Sequence, residues 1–115
     1  MQQVIFRFPD TDYAQDARLK LDLSKDHLAG KEMEIGRYYL SQNNYLSALN
    51  RFSTVVTDYQ TTSHIEEALY RQVEIYTMLG MPTEAQNAAR VLEYNYPTSK
   101  WYKKALDVIK HGAMN

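Results

Sequence analysis

The sequence predicts an all-α chain built from stacked helix-turn-helix repeats, and three observations carry that expectation. The chain repeats itself at a spacing of 37 residues: Tyr39, Asn43, Ala48, Val55, Tyr59, Thr61 and Ala68 recur as Tyr76, Gly80, Ala85, Leu92, Tyr96, Thr98 and Ala105. A period in this range marks supersecondary units that bury their apolar faces against one another. Apolar residues elsewhere follow a helical period, and no stretch sustains the alternation of a strand. The three prolines, Pro9, Pro82 and Pro97, all fall where one helix should give way to the next.

Taken in order, the elements are set by three related joints: Phe8-Pro9-Asp10-Thr11, Tyr59-Gln60-Thr61-Thr62 and Tyr96-Pro97-Thr98-Ser99. Each ends a helix on an aromatic and follows it with polar residues suited to capping the next helix. Proline at the second joint position fixes φ and stops the preceding helix; Gln60 departs from that pattern. Tighter turns divide each unit at Gln42-Asn43-Asn44 and Leu79-Gly80-Met81-Pro82. Asn43 and Gly80 are equivalent, and both residue types tolerate the left-handed backbone that ends a helix. Pro82 suits the first turn of the helix that follows.

The first two joints lie 51 residues apart, and the excess of 14 over the repeat is near four helical turns. Whole turns lengthen a helix without rotating its buried face. Ala14, Ala17, Leu21, Leu28, Ile35 and Tyr38 follow one stripe, so we read about 12–42 as a single long helix with this stripe buried. Gly30 within it costs about 1 kcal/mol relative to alanine, which makes a break there the competing reading. The chain is then one domain over 1–115. Residues 1–9 end a truncated repeat, 12–60 form a first repeat with an extended first helix, 63–97 a second repeat, and 98–112 a terminal capping helix. The patterned opening Met1-Gln2-Gln3-Val4-Ile5-Phe6 reads as a fragment that starts partway through a helix. Val4, Ile5, Phe6 and Phe8 would expose apolar surface, and we expect self-association through that end.

Composition narrows the function. With 115 residues and no cysteine, the chain can bury a core but has no disulfide, thiolate metal site or cysteine nucleophile. A net charge of −1 with mixed signs gives no electrostatic footprint for nucleic acid. Apolar runs are only a few residues long, too short to span a bilayer. His27, His64 and His111 lack the spacing of metal ligands, and Glu66-Glu67 reads as first-turn acid favoured by the helix dipole. There is no glycine-rich phosphate loop and no nucleophile elbow. We expect no catalytic, metal or cofactor residues.

The unit matches the tetratricopeptide pattern. A small residue precedes an aromatic by three at Gly36 and Tyr39, and alanine precedes an aromatic by four at Ala48 and Phe52. Leu69, Tyr76, Ala85, Leu92 and Pro97 keep the register in the next unit, while Val73 and Ala89 replace its small and aromatic residues. The pattern implies a short right-handed α-solenoid. Arrays of this kind bind partners on the face made by first helices. By register that face holds Met33, Glu34, Arg37, Leu40, Tyr70, Arg71, Glu74 and Met78. The positions of the carboxylate clamp found in some members hold Met33, Arg37, Tyr70 and Glu74, so the clamp is missing. Lys100, Lys103, Lys104, Lys110 and His111 make the last helix basic, which suits either a helix C-terminus or an acidic partner. Trp101 and Tyr102 open it; one closes the last repeat and the other is a candidate partner anchor.

Three stretches are more specific: Arg7-Phe8-Pro9-Asp10-Thr11-Asp12-Tyr13-Ala14-Gln15-Asp16-Ala17-Arg18, Leu28-Ala29-Gly30-Lys31-Glu32-Met33-Glu34-Ile35-Gly36-Arg37-Tyr38-Tyr39, and Asn50-Arg51-Phe52. They resemble the C-terminal half of the BamD family of outer-membrane β-barrel assembly lipoproteins, in its alphaproteobacterial form. The resemblance implies a non-enzymatic scaffold at the periplasmic face of the outer membrane, lipid-anchored in the full-length protein. It implies docking of this half onto a BamA-type POTRA domain and other assembly lipoproteins, with unfolded outer-membrane proteins engaged by the N-terminal half. Arg51, in the shared Asn-Arg pair, is the first residue it singles out, either as a contact to a partner carboxylate or as an internal salt bridge. Arg37, Tyr70, Arg71, Glu74, Trp101 and Tyr102 complete the candidate partner-binding set. The alternatives are a periplasmic Tol-associated envelope coordinator, whose repeats are evenly spaced, and a generic peptide-binding adaptor.

Overall fold

The 37-residue periodicity reappears as repeated hydrogen bonds. The computed structural model describes the backbone of residues 12–114, and the side chains of 24–112. Five helices occupy the described residues: α1 (Asp12–Ser41), α2 (Tyr45–Asp58), α3 (Ile65–Met78), α4 (Pro82–Asn95) and α5 (Lys100–Met114). The turn after α1 is closed by Asn44 N–H to Tyr39 O at 2.9 Å and Asn43 N–H to Leu40 O at 3.0 Å. The turn after α3 repeats it with Met81 N–H to Tyr76 O at 2.8 Å and Gly80 N–H to Thr77 O at 3.1 Å. Asn43 and Gly80 take φ of 59° and 74°, the left-handed backbone that lets these bonds reach the last carbonyls of a helix. Pro82 sits in the first turn of α4, where its missing N–H has no partner to lose.

Sequential helices pack as neighbours, α1 on α2, α2 on α3 and α3 on α4, with α5 laid over α3 and α4. This is the all-helical, tetratricopeptide-like arrangement expected. The core falls in two clusters that share α3 as their wall. One joins Ala29, Met33, Ala48, Phe52, Val55, Ala68 and Ile75; the other joins Ile65, Leu69, Val73, Ala85, Ala88, Ala89, Leu92 and Ala105. Val73, standing where the repeat usually has a small residue, is fully buried, and so is the replaced aromatic position at Ala89 within a few per cent.

The long helix runs unbroken through Gly30, but the stripe it buries is not the one the sequence reading chose. Leu28 and Tyr38 are exposed, at 44% and 61%, whereas Ala29 and Met33 are fully enclosed and Gly36 is buried. The buried line runs Ala29, Met33, Gly36, one helical position round from the expected one. Small residues decide it. An atom in place of a Gly36 hydrogen would stand 2.7 Å from the Phe52 ring, so α1 and α2 approach as closely as they do only because Gly36 has no side chain. Met33 is therefore a core residue and does not belong to a partner-facing surface, correcting the placement made by register.

Gly30 has its own neighbour. His64, at the start of α3, lies over it, with Nε2 3.3 Å from where a Cβ would stand. Asp26, one turn earlier on α1, accepts the Ser63 N–H at 3.0 Å and the Ser63 hydroxyl at 2.8 Å, and its carboxylate is 3.6 Å from His64 Nε2. The start of α3, which has no side-chain cap of its own, is thus held from α1. The Ser63 hydroxyl, then the Ser63 N–H, hold the Asp26 carboxyl below its ordinary pKa of 3.8, outweighing partial desolvation, and His64 adds attraction. The N-terminal segment expected to self-associate lies outside the described residues.

Three substitutions test these contacts. Gly36→Ala should destabilise by about 1–2 kcal/mol, because overpacking against Phe52 exceeds the gain in helix propensity. Gly30→Ala should be neutral to stabilising by up to about 1 kcal/mol, since the His64 ring edge can turn aside; urea denaturation of both variants checks the contrast. Asp26→Asn should cost about 0.5–1 kcal/mol at pH 6, the lower end being favoured by its 44% side-chain exposure. A depressed folded pKa gives stability that is complete above the unfolded carboxylate value and lost as pH falls through the folded one. The gap between wild type and Asp26→Asn should therefore close in melts taken progressively below pH 4.

Candidate functional site

Two groups of candidate residues emerge, on different sides of the helix stack. The larger is assembled by α1, α3 and α5. Arg37 on α1 reaches across to α3, where its Nη1 donates to both oxygens of Glu67 at 3.0 and 3.1 Å. Glu67 also accepts from Arg71 Nε at 3.2 Å, one turn further along its own helix, and Arg71 Nη1 donates to Glu74 at 3.0 Å. Two arginines and two glutamates are thus joined in one chain of charge-assisted bonds, with Glu67 at its centre. Burial disfavours the charged Arg71, yet the Glu74 and Glu67 carboxylates more than offset it and hold its pKa above the ordinary value.

Aromatic residues continue this row onto α5. The Arg71 guanidinium lies 5.4 Å from the Tyr70 ring centroid, and Tyr70 meets Trp101 at 5.4 Å with the rings tilted by 39°. Partial burial, then the neighbouring Glu74, raise the Tyr70 phenol above its usual pKa. Lys104 and Lys100 of α5 hold their ammoniums 4.7 and 5.2 Å from the Trp101 ring centroid. Trp101 is oriented at the helix start, where its N–H is capped by the Ser99 hydroxyl at 3.1 Å. Arg37, Tyr70, Arg71, Glu74 and Trp101 are therefore brought together as one connected surface.

Tyr102 is not part of it. It turns toward the second core cluster, and partial desolvation, then the adjacent Glu93 carboxylate, raise its phenol. Of the two aromatics that open α5, Tyr102 closes the last repeat and Trp101 faces the charged row. Glu67 was missed as an organising residue, because its place in the first turn of α3 offered a sufficient local reason for an acid. Arg37 thirty residues upstream carries no sequence mark of their pairing.

Arg51 stands apart on α2. Its Nη1 approaches the Glu32 oxygens of α1 at 3.3 and 3.4 Å, long for a bond between ions, and its side chain remains 42% exposed. It borders an open depression of about 270 Å³ lined also by Tyr39, Ser47, Asn50 and Thr54. Four neutral polar groups and one guanidinium with a loose internal partner are suited to exchanging Glu32 for an incoming carboxylate or carbonyl. Among the described residues, no cluster of three or more His, Asp or Glu is placed to hold a metal ion, and no helix is long and apolar enough to cross a membrane.

The family model for YfiO, described as an outer membrane lipoprotein, matches residues 1–92. The chain belongs to the YfiO family. Among its relatives, the outer membrane protein assembly factor BamD of Rickettsia prowazekii is 56% identical over 96% of this chain and 44% of its own length. BamD of Caulobacter vibrioides is 46% identical over 99% of the chain and 37% of its own length. BamD of Neisseria meningitidis serogroup A is 37% identical over 90% and 39%. The chain thus spans less than half the length of these YfiO-family relatives, and the Tol-associated alternative is not favoured.

Neutralising the central acid tests the charged row. Glu67→Gln should lower stability by about 1–2 kcal/mol, since it leaves two half-buried guanidiniums without their shared carboxylate. A double-mutant cycle with Arg37→Gln, read by urea denaturation, should return a coupling of about 0.5–1 kcal/mol across α1 and α3.

Proposed function

We propose that this chain is the C-terminal docking half of a non-enzymatic scaffold for outer-membrane β-barrel assembly. In this reading it binds the POTRA region of the barrel subunit and accessory lipoproteins at the periplasmic face of the outer membrane. The full-length protein is held there by a lipid anchor, and its N-terminal half engages unfolded outer-membrane proteins. Membership of a lipoprotein family whose curated relatives are named assembly factors supports the setting. The single observation that supports docking is Arg51: a guanidinium half open to solvent, loosely paired with Glu32, at the rim of a polar depression. The ion pairs of the Glu67 row are shorter, at 3.0 to 3.2 Å.

Its contribution is expected to be electrostatic and geometric. A planar guanidinium offers paired N–H donors to a carboxylate or to successive carbonyls, while Ser47, Asn50 and Thr54 supply hydrogen bonds around it. Trading Glu32 for a partner group costs little, since the internal contact is long and only partly buried. Arg37, Tyr70, Arg71, Glu74 and Trp101 form a second contact surface on the first-helix side, for an accessory lipoprotein rather than the POTRA region, and Tyr102 supports it by fixing α5.

Titration calorimetry of the chain with the soluble POTRA array of the same organism tests this. Saturable binding is expected, and Arg51→Glu should weaken it by about tenfold or more. Arg51→Gln should weaken it less, because it removes a charge without introducing repulsion. Circular dichroism of both variants distinguishes lost binding from lost fold. No binding by a folded chain would contradict the docking reading.

A further inference from the structure

The charged row on the first-helix side divides into a closed part and an open part. Arg37, Glu67, Arg71 and Glu74 satisfy one another, two cations against two anions. Lys100 and Lys104 do not join them. Neither makes an ion pair among the described residues, and Asp107, one turn beyond Lys104, pairs with neither. Both ammoniums instead rest on the Trp101 indole, at 5.2 and 4.7 Å from its centroid. Lysine heads normally sweep a wide volume of solvent; cation–π attraction holds these two beside one ring. Four residues apart, they rise from the same flank of α5.

Next to this ring, between α3 and α5, lies an open groove of about 460 Å³ lined by Tyr70, Thr77, Lys104, Asp107, Val108 and His111, and Tyr70, which meets Trp101 at 5.4 Å, joins the two. The two placed ammoniums outnumber the one carboxylate of the groove, Asp107, and with the aromatic and apolar side chains beside them they suit one kind of occupant. We propose that this groove is a docking site for an extended acidic segment of a partner protein, in which carboxylates alternate with apolar side chains. The carboxylates would meet Lys100 and Lys104, and an apolar side chain would lie against Tyr70 and Val108. A bilayer surface fits less well, because Tyr70, Trp101 and Val108 are each only partly exposed, which suits single side chains better than a plane. The site is separate from the Arg51 depression and does not depend on it.

Trp101 is the only tryptophan in the chain, so its fluorescence reports this site without a label. The probe is the peptide acetyl-Glu-Leu-Glu-Glu-Leu-Glu-amide, with the all-glutamine counterpart as control, titrated into the full chain at low salt. A saturable change in Trp101 emission with the acidic peptide, absent with its counterpart, is expected. Lys100→Gln combined with Lys104→Gln should weaken the response by about tenfold or more. Lys103→Gln combined with Lys110→Gln removes the same charge from a different flank of α5 and should leave most of it, as should Arg51→Glu. Absence of a saturable response would overturn the proposal. So would equal weakening by the two lysine pairs, which would mean non-specific attraction. A response to phosphatidylglycerol vesicles but not to the peptide would replace it with a membrane contact.

Discussion

The approach of α1 to α2 at Gly36 is the constraint on which the other features rest. Because Gly36 has no side chain, the Phe52 ring fits against the helix backbone and is fully buried. That contact sets both the distance and the rotation of α1. One turn earlier, Glu32 comes to lie beside Arg51, the neighbour of Phe52 on α2. On the next residue, Arg37 is turned toward α3 and Glu67. Two surfaces on different sides of the molecule therefore take their geometry from one packing contact, and a side chain at position 36 would disturb both.

The two surfaces differ in how they are held. Around Glu67, acceptors and donors are matched and half-buried, so the side chains are fixed before any partner arrives, and little conformational entropy is lost on binding. Around Arg51, the one internal ion pair is long, at 3.3 Å against 3.0 Å for Arg37 with Glu67, leaving the guanidinium able to change partners. A rigid row and an exchangeable cation would suit the proposed scaffold, which must keep its own helices in register while engaging others. The relatives are named assembly factors, which fits the proposed docking role.

Much of this was legible in the sequence because helix ends announce themselves locally. Asn43, Gly80 and Pro82 carry backbone preferences that need no tertiary context, and the repeat made their equivalence visible. Ala48 and Phe52 were legible for the same reason. The face of α1 was not. That helix has apolar residues on several sides, and choosing among its stripes by hydrophobicity favoured Leu28, Ile35 and Tyr38, two of which are exposed. The better signal was size: Ala29 and Gly36, a small residue at each end of Met33, mark the line of closest approach. Pairings such as Arg37 with Glu67 and Asp26 with Ser63 join residues 30 and 37 positions apart, and only the fold brings them together. Trp101 was singled out by type, but its two lysine neighbours were noticed only as charge.

The central claim is that a POTRA partner docks on the α1–α2 side, around the Arg51 depression, while the Glu67 row stays as it is. A chemical-shift footprint on the isotope-labelled chain, with and without the soluble POTRA array, tests this most directly. The account predicts that perturbations concentrate at Tyr39 and across 47–54, with the amides of 67–74 little changed. Perturbations centred on α3 and α5, with α2 silent, would contradict it.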